Sequence, residues 1–258
     1  MAAPFIFLAT YFVLAMGRVP GLRIDRTGAV VAARQRIKCS VDQAQHAAQR
    51  ERAALWEAGA AVREALFGNV SDAKERARAA LAFSTNREVE YEAAFALGLT
   101  GHSDKSQTLA SDLSSRFPDD TLLKFNRVPS VRAQLALNTG EPSKALDVLT
   151  LTVSYELSPT RGTVGALYPV YVRGEAYLAA HQGNKAAAEF QRILDHRGIV
   201  VNDPIGAVAR LQLARAFVEA EDEAKAKSAY QDFLTLWKDA DPDIPILKQA
   251  KLEYSKLP

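Results

Sequence analysis

From about Gln43 onward apolar residues recur at helical spacing, and every 15–20 residues the run breaks at Gly, Pro or an Asn-Asp type cluster. Turn glycines fall at Gly68, Gly101, Gly140 and Gly183, and Glu221-Asp222 fills the next slot, giving steps of 33, 39, 43 and 38 residues. This is close to the roughly 34-residue period of a helix–turn–helix repeat, with the excess placed in loops between units. Helix ends follow the same frame. Asp203-Pro204 reads as an N-cap followed by proline at the first helical position, and Ser71 and Ser103 are expected to cap second helices. Arg116-Phe117-Pro118-Asp119-Asp120 ends one helix and opens a loop. Pro169, inside the helical run 167–180, predicts a late start or a kink. The stretch 149–155 alternates like a strand, yet continues a helix begun at Pro142 and is read as helix; 198–202 is read as an extended loop.

The units share more than length. A small residue is wanted where two helices cross and an aromatic three residues later; the second helix wants alanine, then a large apolar residue four positions on. Gly174, Tyr177, Ala186 and Phe190 meet that pattern, and the next unit has Leu213, Ala214, Phe217, Ala226, Tyr230 and Phe233. Earlier ones have Ala61, Gly68, Ala73, Ala77 and Ala80; Ala94, Leu97, Gly101, Leu113 and Pro118; and Ala133, Gly140, Ala145 and Leu149. On these residues the segment 45–240 resembles tetratricopeptide-repeat proteins. The resemblance implies an all-α, right-handed superhelical solenoid of about five helix–turn–helix units. Residues 246–257 place Ile246, Leu247, Ala250 and Tyr254 on one face and lysines elsewhere, as a solubilising C-terminal capping helix should.

Three segments resemble something narrower. Residues 167–190 (LYPVYVRGEAYLAAHQGNKAAAEF), 193–198 (ILDHRG) and 230–248 (YQDFLTLWKDADPDIPILK) are similar to the C-terminal repeat tails of bacterial eukaryotic-like serine/threonine protein kinases. The chain has no Gly-rich loop, His-Arg-Asp catalytic loop, Asp-Phe-Gly or Ala-Pro-Glu, so the resemblance implies a sensor or docking tail and not kinase activity.

Composition agrees with helix. Of 258 residues, 48% are apolar and 45 are alanine, the best helix former and a poor strand former. Net charge is +2, too small to argue for nucleic acid, and no basic stripe interleaved with aromatics is visible. The lone Cys39 excludes an intrachain disulfide and a multi-cysteine metal site. His46, His102, His181 and His196 form no ligand-like pair, and no nucleophile elbow or phosphate-binding loop occurs. No catalytic residue, cofactor or metal is therefore expected.

The first forty residues differ from the rest and are read as a separate segment, 1–40, ahead of a repeat domain, 41–258. Residues 1–17 carry no charged side chain and reach the lower edge of a membrane-spanning length, about 17–25 residues. Positive charge comes after them, at Arg18, Arg23 and Arg26, which suits a secretory signal poorly and would leave the remainder cytoplasmic if the segment inserts. Residues 4–33 (PFIFLATYFVLAMGRVPGLRIDRTGAVVAA) resemble the first span and loop of arsenite/citrate-type permeases. No further span follows, so transport is not implied; a remnant or fusion scar is expected, and membrane association through 4–17 is the alternative. The expected localisation is cytoplasmic, or anchored at the inner membrane by the N-terminus.

A stacked array presents an extended inner surface lined by first helices. Its inward positions, by family register, are Tyr91 and Phe95, Arg127, Ser130 and Gln134, Tyr168, Tyr171 and Glu175, then Leu211, Arg215 and Glu219. Tyrosine and arginine anchor interfaces well. The expected partner-binding residues are Tyr91, Arg127, Gln134, Tyr168, Tyr171, Glu175, Arg215 and Glu219, serving a non-catalytic protein or peptide docking module. The alternative is a detached regulatory tail of a kinase.

Overall fold

The computed structural model describes residues 28–46, 49–158 and 165–258. The apolar segment 4–17 lies outside them; among the described residues no helix is long and apolar enough to cross a membrane. Every regular element described is helical, and no strand occurs among those residues. The helices are α1 (Val30–His46), α2 (Arg50–Leu66), α3 (Val70–Phe83), α4 (Arg87–Leu99), α5 (Ser103–Arg116), α6 (Val128–Asn138) and α7 (Pro142–Leu149). They continue as α8 (Tyr168–Ala179), α9 (Gly183–Asp195), α10 (Arg197–Val200), α11 (Ile205–Glu219), α12 (Glu223–Leu236) and α13 (Pro245–Tyr254). A π-helical turn, Leu123–Arg127, leads into α6, and a 3-10 segment, Thr150–Tyr155, continues α7.

Five turns join consecutive helices in one geometry. The backbone swings into the left-handed region at Gly68, Gly101, Gly140, His181 and Glu221, 33, 39, 41 and 40 residues apart. At each, the next residue's N–H reaches the carbonyl five back: Asn69 to Glu64, His102 to Leu97, Glu141 to Ala136, Gln182 to Tyr177 and Asp222 to Phe217, all at 2.8–2.9 Å. This is the bond that closes a Schellman turn and satisfies a helix's last carbonyls. Seven residues before each turn stands Ala61, Ala94, Ala133, Gly174 or Ala214; five after it stands Ala73, Ser106, Ala145, Ala186 or Ala226, and all ten are buried. Small residues at both crossing positions let the paired backbones approach. A Cβ on Gly174 would lie 2.6 Å from the Phe190 ring.

Packing runs from neighbour to neighbour. The first helices α2, α4, α6, α8 and α11 touch in sequence, and each second helix (α3, α5, α7, α9) also meets the following first helix. One large apolar core threads the array from Val30 to Ala250. The two ends meet. Asp241 accepts from the Val31 N–H at 2.8 Å, capping α1 from the far end of the chain, and its own N–H donates to the Gly28 carbonyl at 3.2 Å. Phe67 and Trp237 stack edge to face at 4.9 Å.

Several expectations change. The fourth turn bends at His181; Gly183 is glycine for another reason, because a Cβ there would meet the Ala220 nitrogen at 2.5 Å. Ser71 lies inside α3 and Ser103 is the first residue of α5, so neither caps; Asn86, Asp120 and Asp222 accept the first-turn N–H groups of Val89, Leu123 and Lys225. The stretch 198–202 is not extended: α10 occupies its start, ending at Val201 with φ +45°. Residues 150–155 are helical, but wound as 3-10. Pro169 sits in the first turn of α8, a late start. The terminal helix does more than cap the last pair: the Ile246 N–H donates to the Phe67 carbonyl at 3.3 Å, so α13 reaches the first turn as well.

Candidate functional site

Of the eight expected partner-binding residues, four are packed inside the protein. Tyr91 is 1% exposed, Arg127 3%, Tyr168 0% and Tyr171 5%. The Tyr91 ring lies under the Arg127 guanidinium at 5.2 Å, and its hydroxyl has no hydrogen-bond partner among the described residues. Arg127 also reaches Glu88 at 3.3 Å. Phe95 meets Tyr168 edge to face at 5.2 Å, so α4 and α8 touch directly across the inner row. The Tyr168 hydroxyl donates to Asp203 at 2.7 Å, and Asp203 also accepts from the N–H groups of Gly165 and Ile205. Burial pushes the hydroxyls of Tyr91, Tyr168 and Tyr171 upward from their ordinary range, with the Asp203 charge adding to the effect at Tyr168. These four residues are therefore core, and an ordered partner has no access to them in this arrangement.

The other four occupy a strip that solvent reaches. Gln134, Glu175 and Arg215 hold the same place in successive turns, six residues before Gly140, His181 and Glu221, and all three are partly exposed. One turn later come Asn138 and Glu219, both exposed. Gln134 donates to Asn138 at 3.0 Å, and Asn138 donates to the Gly98 carbonyl at 2.8 Å. Glu219 pairs with His181 at 2.8 Å.

Between them lies the most heavily coupled group. Arg215 forms a forked pair with Glu253 of α13, both arms 2.9 Å, and donates to Gln212 at 3.2 Å. Gln212 donates to the Tyr171 hydroxyl at 3.3 Å, and the Tyr230 hydroxyl donates to Glu253 at 2.9 Å. Glu175 stands beside this chain with its Oε1 buried and without a hydrogen-bond partner among the described residues. Burial raises its carboxyl from 4.5 to about 7, against the opposing pull of Arg215, Tyr171 and Gln212. One arginine thus serves two carboxylates, and only Glu253 holds it in a direct bidentate bond.

Two further ion clusters hold pairs of helices together. Glu156, fully buried, receives Arg173, Arg192 at 2.9 Å and the Thr152 hydroxyl at 2.9 Å, while Arg173 also reaches Glu189 at 2.7 Å. Burial lowers the Arg173 guanidinium, but its bonds to Glu156 and Glu189 outweigh this and leave it raised. Glu64, fully buried, takes both arms of Arg34 and a bond from Asn69, tying α1 to the first turn. Little that is local in sequence announces either cluster, since the arginine–glutamate pairs lie 16 to 36 residues apart.

Among the described residues no group of three or more His, Cys, Asp or Glu is placed to hold a metal ion. Two open depressions lie on the surface of the described residues. One, lined by His181, Asn184, Lys185, Glu219 and Glu221, runs over two adjacent turns. The other lies between α9, α11 and α12, with Asp195, Arg197, Arg210 and Asp232 around it. What the arrangement can do chemically is pair ions and donate hydrogen bonds along a solvent-reached strip. No known family model matches the chain, and no curated protein matches it either.

Proposed function

We propose that this chain is a tetratricopeptide-like solenoid of about five helix–turn–helix units that works as a non-catalytic protein-docking module. The observation that carries the reading is the repeated turn: one left-handed residue, one five-back hydrogen bond and two small crossing residues, five times over at intervals of 33–41 residues. A chain built of equivalent neighbours offers extended surface rather than a single enclosed pocket. The docking surface in this reading is the strip of Gln134, Asn138, Glu175, Arg215 and Glu219. It is polar and carries both signs of charge, so it suits a partner segment with alternating charges and hydrogen-bonding groups.

The test is proximity labelling in the source cell with the full chain, comparing wild type with the double variant Gln134→Arg, Glu219→Arg. Both positions are outside the apolar core, so the fold is retained. A set of proteins labelled by wild type and lost with the variant is the expected result. Identical labelling by both chains would remove the strip from consideration.

A further inference from the structure

Helix α13 behaves as an occupant of a groove rather than as part of the array. It begins at the first turn, where Pro245 lies against Gly68 and Ile246 bonds Phe67, and it ends on α11 and α12. The face it lays down reads Ile246, Leu247, Ala250, Glu253 and Tyr254, the i, i+1, i+4, i+7, i+8 stripe of an amphipathic helix. Ile246, Leu247 and Ala250 are buried, Glu253 grips Arg215, and Tyr254 accepts from Gln231 at 2.9 Å while stacking near Tyr230. Its other face, with Lys248, Gln249, Lys251 and Leu252, is exposed.

Three features make this helix replaceable. It has ten residues, and helices under about 12–15 residues are marginal without packing. Its hold on α11 is ionic, through an arginine and a glutamate that are 22% and 26% exposed. And Arg215 is close enough to a second carboxyl, Glu175, to feel its charge, so Glu253 is not the one acid around this guanidinium.

We propose that the surface formed by α11, α12 and the Phe67–Gly68 turn is a helix-docking groove, that α13 is its built-in occupant, and that the partner it takes is an amphipathic helix. That helix would carry two aliphatic residues at its start, a small residue one turn on, and an acid in the place of Glu253. This recognition is helix-in-groove, with the anchors already spelled out by the occupant. The proposal rests on the docking-module reading and supplies its regulation: a partner gains the end of the polar strip only by displacing α13, which its tether holds at high effective concentration.

The probe is a fluorescein-labelled peptide of residues 243–258, titrated by anisotropy into the full chain and into the full chain carrying Glu253→Arg, with helicity checked by circular dichroism. The variant turns the Arg215 pair repulsive and loosens the strap. The peptide is expected to bind the variant at least ten-fold more tightly than wild type, and the same peptide carrying Glu253→Arg to lose that binding. Should the variant not fold, Arg215→Glu replaces it, and the preference between the two peptides is then expected to reverse. Absence of binding to a folded variant, equal binding of both peptides, or a concentration-dependent dimer by light scattering would overturn the proposal; the dimer would make a second copy's α13 the occupant. Failure of the labelling experiment on the Gln134–Glu219 strip would leave this titration unaffected, so the two readings fail separately.

Discussion

Replacing Glu175 with glutamine removes a charge from a place that resists it. The carboxyl sits where burial outweighs Arg215, and its proton is held to about 7 instead of 4.5. The native state therefore binds that proton more tightly than the unfolded chain does. Below pH 4.5 both states are protonated and Glu175 costs nothing. As pH rises above 4.5 the unfolded chain loses the proton first, so stability falls, and the loss levels off above about 7. A gap of this size corresponds to about 3 kcal/mol as an upper bound, at roughly 1.4 kcal/mol per pH unit. Part of the side chain is solvent-exposed, which brings the expected effect to about 1–3 kcal/mol. Glutamine keeps the shape and the hydrogen-bonding capacity toward Tyr171 and Gln212. Urea unfolding followed by circular dichroism at pH 5 and pH 8.5 reads the difference. Glu175→Gln should be close to wild type at the lower pH and more stable by the stated amount at the higher. A gain of equal size at both values would refute the reasoning, since it would owe nothing to charge.

Three other perturbations follow from the packing. Glu156→Ala leaves Arg173 buried with Glu189 alone, and should cost about 3–5 kcal/mol in urea unfolding, because one half of a buried pair is harder to keep than none. Gly174→Ala places a methyl group 2.6 Å from the Phe190 ring and should cost about 1–3 kcal/mol, recovered in large part by Phe190→Leu in the same chain. His181→Gly and Glu221→Gly relieve left-handed backbone at exposed turn positions; each should raise the unfolding free energy by about 0.5–1 kcal/mol in urea unfolding, and a loss at both would show that the turn is not strained there.

The helix pairs and most of their turns are legible in the sequence. The small residues at the crossings, Ala94 or Gly174 for instance, are separated by a spacing that only paired helices explain, and Gly68, Gly101 and Gly140 mark turns because glycine alone enters the left-handed region freely. The fourth turn was misplaced for a physical reason. His181 takes the left-handed position at a cost, while Gly183 is needed where α9 starts against the end of α11, so the glycine signal pointed two residues too far along. The caps were misread because serine at 71 or 103 fits the cap chemistry but falls one or two positions inside its helix. Gln134, Glu175 and Arg215, taken from the register of the resembled family, each stand six residues before a turn and stay partly exposed; that Tyr91 and Tyr168 lie out of reach is not readable in the sequence, because α4 and α8 meet only in three dimensions.

The closure of the two ends explains why those tyrosines are core. A nearest-neighbour array by itself fixes only adjacent units, and its inner face is open to whatever fits. Here the inner row turns in on itself. Phe95 reaches Tyr168 two first helices away, and Phe67, Trp237, Gly28 and Asp241 join the first unit to the last. Residues that would anchor a partner in an open array instead satisfy one another: Arg127 covers Tyr91, Asp203 accepts from the Tyr168 hydroxyl, and Gln212 donates to that of Tyr171. What solvent still reaches is the margin of that row, Gln134, Asn138, Glu175, Arg215 and Glu219. Glu253, which grips Arg215, is supplied by a helix outside the repeated pattern. The arginine at the end of the polar strip is thus the one that holds α13, and under the docking proposal an acid presented by a partner competes with Glu253 for its single bidentate fork.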